Sequence, residues 1–121
     1  TLGITSSQIE RWRAIQPNQW VQQQVRYDTF RDRLYHLVDH AHAAIAVTGG
    51  PGTLAEIALF WNMLVVQEMP PKPLILLGAE WRTTIETFYQ QHDTYIAAEH
   101  RSLLHFADTP QQAVDFLNFS A

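Results

Sequence analysis

Ala43-Ala44-Ile45-Ala46-Val47-Thr48-Gly49-Gly50-Pro51-Gly52-Thr53-Leu54-Ala55-Glu56 is the stretch whose reading decides the fold. Its first five residues are short, apolar and uncharged, as expected of a strand buried on both faces of a parallel sheet. Beyond Gly52, Leu54, Ile57, Ala58, Trp61, Leu64 and Val65 recur at helical spacing. The glycines therefore occupy a strand-to-helix turn. Backbone N–H groups at such a turn point at whatever lies above the helix N-terminus, and the helix dipole favours negative charge there. Glycine lets the main chain approach a ligand with no Cβ in the way. A tight bend with no ligand has the same composition, so the glycines alone leave both readings open. Glu56 is read in the first helical turn, where a carboxylate complements the dipole or faces the ligand.

The spacing narrows the ligand. No Lys-Ser or Lys-Thr follows the last glycine, which excludes the Walker A loop, and the run is not the dinucleotide Gly-x-Gly-x-x-Gly pattern. A magnesium-bound triphosphate is thereby disfavoured.

At these residues the chain resembles the LONELY GUY (LOG) family, whose signature is Pro-Gly-Gly-x-Gly-Thr-x-x-Glu. Gly49 to Glu56 follow the pattern, and Thr48 stands where the signature has proline. The family also carries an arginine in the preceding helix, usually within Glu-Arg-Lys; here Asp32-Arg33-Leu34 stands at the matching distance, without the lysine. Lys72-Pro73 followed by Leu74-Ile75-Leu76-Leu77 resembles the family's next strand. The resemblance covers roughly residues 25 to 90, with weaker flanks.

LOG enzymes are phosphoribohydrolases that split the N-glycosidic bond of nucleoside 5′-monophosphates such as cytokinin riboside monophosphates and AMP. The resemblance implies that Arg33 and Glu56 are the catalytic pair and that Gly49, Gly50, Gly52 and Thr53 bind the substrate phosphate. It also implies a nucleoside monophosphate as partner, a homodimer and no cofactor. Members long carried the label "possible lysine decarboxylase", a chemistry that nothing in these residues suggests. The residue types suit glycoside cleavage. Departure of a base leaves an oxocarbenium-like sugar, and a fixed carboxylate stabilises that charge, holds ribose hydroxyls or orients the attacking water. A guanidinium holds the carboxylate ionised and binds phosphate or the departing base. Without the resemblance, Arg33 reads as a solvated helix residue paired with a neighbouring Asp.

At 121 residues with 46% apolar composition, the chain is expected to form one modest domain around a single core. A net charge of −4 argues against nucleic acid, which needs clustered Lys and Arg, whereas a mononucleotide needs only a local positive site. The absence of cysteine excludes a disulfide framework, a thiolate nucleophile and a thiolate metal site, and fits a reducing cytoplasm. No apolar run is long enough to span a membrane, and no signal peptide is seen, so the expected compartment is cytoplasmic. His36 and His40 share a helical face, yet no third ligand falls into an established pattern with them and HExxH is absent, so no metal is expected.

The remaining elements follow from periodicity. Thr1 to Thr5 reads as an opening strand, Gln8 to Arg13 as a short helix ended before Pro17, and Gln19 to Gln24 as an edge strand or irregular connector. Phe30, Leu34, Leu37, Val38 and Ala41 mark a helix from Asp28 to about His40, with Arg33 at the margin of its apolar face. Phe60 and Trp61 read as core or subunit-contact residues. Leu74 to Leu77 is a strand ended by Gly78; Trp81 to Tyr89 is a helix with Trp81, Ile85 and Phe88 on one face; His92 to His100 is ambiguous. Leu103 to Phe106 is the last strand, and Thr109, Pro110 and Gln112 form a capping box opening the final helix. Strands alternating with helices predict a Rossmann-like three-layer α/β/α fold with a parallel sheet and ligands at the C-terminal strand ends. Beside the LOG fold, the chain reads as its C-terminal portion, since the family's earlier Gly-Ser and glycine-rich turns are not found. Two other readings compete: a noncatalytic nucleotide- or molybdenum-cofactor-binding protein of the same superfamily, and a dimerisation or scaffold module.

Overall fold

Parallel strands joined by helices make up both parts of this chain. The computed structural model describes residues 2–12 and 18–120, which form two units, Thr1–Ala41 and His42–Ala121. The predicted helix stop at Pro17 lies outside the described residues.

In the first unit, β1 (Leu2–Ser6) leads into α1 (Ser7–Trp12), and β2 (Gln23–Tyr27) into α2 (Phe30–His40). The two strands pair in parallel, Ile4 opposite Val25. The second strand begins at the end of the Gln-rich patch and continues past it, because Val25 and Tyr27 alternate with exposed Gln24 and Arg26 and so supply a half-buried face. Helix α2 starts where Thr29 caps it, its hydroxyl accepting from the Asp32 N–H at 3.1 Å. Val38 is buried on its inner face. His36 accepts or donates at the Tyr27 hydroxyl and stacks on His40 with ring centroids 4.0 Å apart. The two histidines are thus engaged with a phenol and with each other.

In the second unit β3 (Ala44–Ala46), β4 (Leu74–Leu77) and β5 (Leu104–Ala107) form a parallel sheet in that order. The intervening helices are α3 (Pro51–Val65), α4 (Ala79–Gln91), a 3₁₀ turn at Asp93–Tyr95, and α5 (Ala98–Arg101); α6 (Pro110–Ser120) closes the chain. Leu74, Ile75 and Leu76 are almost wholly excluded from solvent, as a central strand requires. The pleat sends alternate residues to opposite faces. Ile75 packs with Ala107 and Ala113 against α6, where His105 also meets Phe116. Phe106, on the other face of β5, lies under the Arg82 guanidinium of α4 at 5.0 Å. Helices therefore cover both faces of this sheet, as expected of a Rossmann-like α/β arrangement.

Two expectations need correction. The first strand of this sheet is not buried on both faces: β3 is only three residues long and is the edge of its sheet, and Ile45 is 39% exposed. Phe88, expected on the inner face of α4, is exposed while Trp81 and Ile85 are buried; its ring instead meets Trp61 edge-on, centroids 6.2 Å apart. The start of α6 follows the expected cap with one change. The Thr109 hydroxyl accepts from the Gln112 N–H at 3.2 Å, but the Gln112 side chain returns to the N–H of Asp108 at 2.8 Å, one residue before the cap. No helix among the described residues is long and apolar enough to cross a membrane.

Truncating the most buried strand residue, Leu76→Ala, is expected to lower the unfolding free energy by about 2–5 kcal/mol in urea titrations. A near-normal midpoint would show that β4 is not the core strand. Burial also pushes the His105 imidazole below its ordinary value of 6.5. The folded state then disfavours the proton, so stability contributed by His105 is complete above that value and lost as pH falls through it. Stability is expected to drop more steeply on acidification from about pH 7 to 5 in the unsubstituted chain than in His105→Gln; equal slopes would rule the effect out.

Candidate phosphate-binding cleft

Helix α3 begins without a side-chain cap. Gly50 is its N-cap and offers no side-chain acceptor, and Pro51 has no N–H to lose. The first internal bond runs from the Leu54 N–H to the Gly50 carbonyl at 3.1 Å. The N–H groups of Gly52 and Thr53 consequently have no partner among the described residues. Orphan donors at an uncapped helix start, with no acidic residue in the first turn, present partial positive charge.

The three glycines differ in what demands them. A Cβ on Gly49 would come within 2.9 Å of the Thr53 Cβ and closer still to its hydroxyl. Gly49 is therefore required by the close packing of the turn on Thr53. A Cβ on Gly50 or Gly52 would meet nothing within 4 Å. Neither is needed by the protein's own packing, and the space above them is open to a ligand.

Beside Gly50 lies a cleft of about 330 Å³ lined by Thr48, Gly49, Gly50, Pro51, Leu54, Glu80, Trp81 and Thr84. Its second wall is the start of α4, whose N-cap, Gly78, also provides no side-chain cap. Gly78 has φ +109°, a left-handed backbone suited to glycine. Two helix N-termini thus meet at the C-terminal ends of adjacent strands, where open α/β sheets place their ligands. Trp81 holds the walls together: its indole N–H donates to the Val47 carbonyl at 2.8 Å, and the ring is 7% exposed. Thr48, the departure from the family signature, turns its hydroxyl toward Gly78, 4.0 Å from where a Cβ would sit there. Proline at this position would offer no donor.

The predicted site residues fall in three places. Gly49 and Gly50 line the cleft, and Gly52 and Thr53 follow in the first turn of α3. Glu56 is the sixth residue of that helix, in its second turn and not its first, because the helix starts at Pro51. It stands three and four positions beyond Thr53 and Gly52, on the same side of α3, and is half-buried. Arg33 is half-buried on α2 in the first unit, its N–H bonded to the Thr29 carbonyl at 3.3 Å. Glu80, Trp81 and Thr84 were not anticipated as site residues. The signal was the apolar run Leu74–Leu77, Gly78 and a helix, which repeats the strand, glycine, helix order of the first turn.

A parallel sheet covered by helices, with a glycine-rich helix start at its C-terminal edge, defines a Rossmann-like α/β protein. Residues 1–117 match the family described as possible lysine decarboxylase, the label carried by LOG-type proteins, and the chain belongs to that family. The match extends well past the central stretch on which the signature lies. No curated protein matches the chain.

Glycine substitutions separate packing from binding. Gly50→Ala and Gly52→Ala are expected to leave the melting temperature unchanged or slightly raised, since restricting the unfolded chain at an unstrained site contributes about 0.4–1 kcal/mol, while phosphate affinity measured by calorimetry falls at least several-fold. Gly49→Ala is expected to lower the melting temperature. Intact phosphate binding in Gly50→Ala and Gly52→Ala would remove the cleft from consideration.

Proposed function

We propose that this chain is a LOG-type phosphoribohydrolase, which hydrolyses a nucleoside 5′-monophosphate to free base and ribose 5-phosphate. The observation that carries the reading is the glycine turn with its two unpartnered N–H groups, followed one helical turn later, on the same side of α3, by Glu56. The 5′-phosphate sits against the N–H groups of Gly52 and Thr53, with Gly50 giving it room. Glu56 faces the sugar. As the C1′–N bond breaks, its carboxylate stabilises the positive charge growing on the ribose and orients the water that adds to C1′; the base leaves with a proton. Arg33 is assigned as the second catalytic residue on the resemblance alone. A cytoplasmic homodimer acting on a soluble nucleotide completes the proposal.

The family label suggests a different chemistry, and the chain's lysine argues against it. Pyridoxal-dependent decarboxylation of amino acids uses a lysine at the site to hold the cofactor as a Schiff base. The single lysine, Lys72, lies two residues before β4, at the opposite end of the strands from the glycine turn, with its ammonium 5.6 Å from the Phe60 ring.

The test is incubation of the chain with adenosine, guanosine, cytidine and uridine 5′-monophosphates and with cytokinin riboside monophosphates, with chromatographic detection of free base. Base release is expected for at least one, and Glu56→Ala and Arg33→Ala should each reduce kcat/KM by about 100- to 1,000-fold, the usual cost of removing a preorganised charged group, without lowering the melting temperature. Absence of base release from every nucleotide would sink the hydrolase; tight nucleotide binding without release would favour the noncatalytic carrier.

A further inference from the structure

Glu80 is the one acidic side chain among the cleft residues. It makes no hydrogen bond or ion pair through its carboxylate among the described residues, in contrast to Asp93, Asp108 and Asp115, which are each engaged. Glu80 is exposed, and its carboxylate lies near Gly78: a Cβ built there would be 3.0 Å from Glu80 Oε2 and 4.0 Å from Thr48 Oγ1. The carboxylate is therefore no more than about 7 Å from the Thr48 hydroxyl, and Thr48 directly precedes the glycine turn.

A carboxylate in this place cannot face the phosphate, because like charges at short range repel. It accepts hydrogen bonds and donates none, so its counterpart must be a group of hydrogen donors a short distance from the phosphate. The other side chains of the cleft are Pro51 and Leu54 on the α3 wall and, beside Glu80 on α4, the Trp81 ring and Thr84, whose hydroxyl is taken up in donating to the Glu80 carbonyl at 2.8 Å. In a nucleoside monophosphate, the donors one sugar ring away from the phosphate are the ribose 2′- and 3′-hydroxyls. Two carboxylate oxygens match two adjacent hydroxyls.

We propose that Glu80 is a specificity-determining residue that holds the ribose diol and so selects ribonucleotides over 2′-deoxyribonucleotides. The proposal rests on the reading of the cleft as a nucleoside monophosphate site. Thr48 adds a hydroxyl beside the same sugar. Gly78 leaves the carboxylate room, since a Cβ there would lie 3.0 Å from Glu80 Oε2.

Sugar recognition is separable from catalysis by using base-free ligands. Ribose 5-phosphate, 2-deoxyribose 5-phosphate and inorganic phosphate are titrated calorimetrically into the unsubstituted chain, Glu80→Gln and Glu80→Ala, with circular dichroism to check folding. The unsubstituted chain should bind ribose 5-phosphate about 10- to 100-fold more tightly than the deoxy sugar, as expected for one lost hydrogen bond to a charged group. Both variants should lose that preference, while their affinity for inorganic phosphate holds or rises because a nearby negative charge has gone. A preference retained in both variants would show that Glu80 only complements the α4 dipole, and equal binding of the two sugars by the unsubstituted chain would equally overturn the proposal. Base release in the nucleotide panel with either of those results condemns the role of Glu80 alone; no sugar phosphate binding and no base release condemns the site itself.

Discussion

The hydrogen bond from the Trp81 indole to the Val47 carbonyl is the constraint on which the cleft depends. Val47 lies two residues before Gly49, and Trp81 is the third residue of α4. One donor therefore fixes the distance between two helix starts that grow from neighbouring strands. The indole is nearly buried, and a buried donor without a partner costs about 1–3 kcal/mol, so the bond also penalises arrangements in which the two walls drift apart. Within itself the glycine turn is held by the packing of Gly49 on Thr53 and by the Leu54 N–H donating to the Gly50 carbonyl. Its position is imposed from outside, by an aromatic ring on the next strand-to-helix turn.

Much of this was legible in the residues. The apolar run Leu74–Leu77, the Thr109-Pro110 helix start and the helical spacing after Gly52 each express a strong local rule, and each element forms where that rule puts it. The glycine pattern with Glu56, and its separation from Arg33, was enough to indicate the family. Other features depend on partners distant in sequence. Whether Ile45 is buried depends on how many strands flank β3, which a five-residue apolar run cannot reveal. The extent of β2 depended on pairing with β1, and a glutamine-rich stretch carries little pattern of its own. Glu80 and Trp81 lie about thirty residues beyond the glycine turn, and they join the site because parallel strands bring successive strand-to-helix turns to one edge.

Similar reasoning orders the glycines. A motif treats its glycines as equivalent, whereas the structure assigns them different causes. Gly49 answers to Thr53, Gly78 to a left-handed backbone and the Glu80 side chain, and Gly50 and Gly52 to no atom of the protein. Glycines that the fold itself does not demand are those most informative about a ligand. Family membership and the signature point to the same helix start, and the room beside these two residues gives the signature a physical meaning.

The two walls of the cleft are alike in backbone and opposite in charge. Each is an uncapped helix start and so attracts an anion, yet one carries only glycine, proline and threonine while the other places Glu80 over its own N-terminus. The carboxylate cancels the pull of its own helix and leaves that of α3. Across the cleft, the electrostatic potential therefore has a direction. Under the proposed function, a small molecule with one anionic end and one hydroxylic end would have a preferred way round before any shape complementarity acts, since inversion would place its charge against the acid. Polarity of binding, which determines which bond is presented to the rest of the machinery, is written into the difference between two otherwise similar turns.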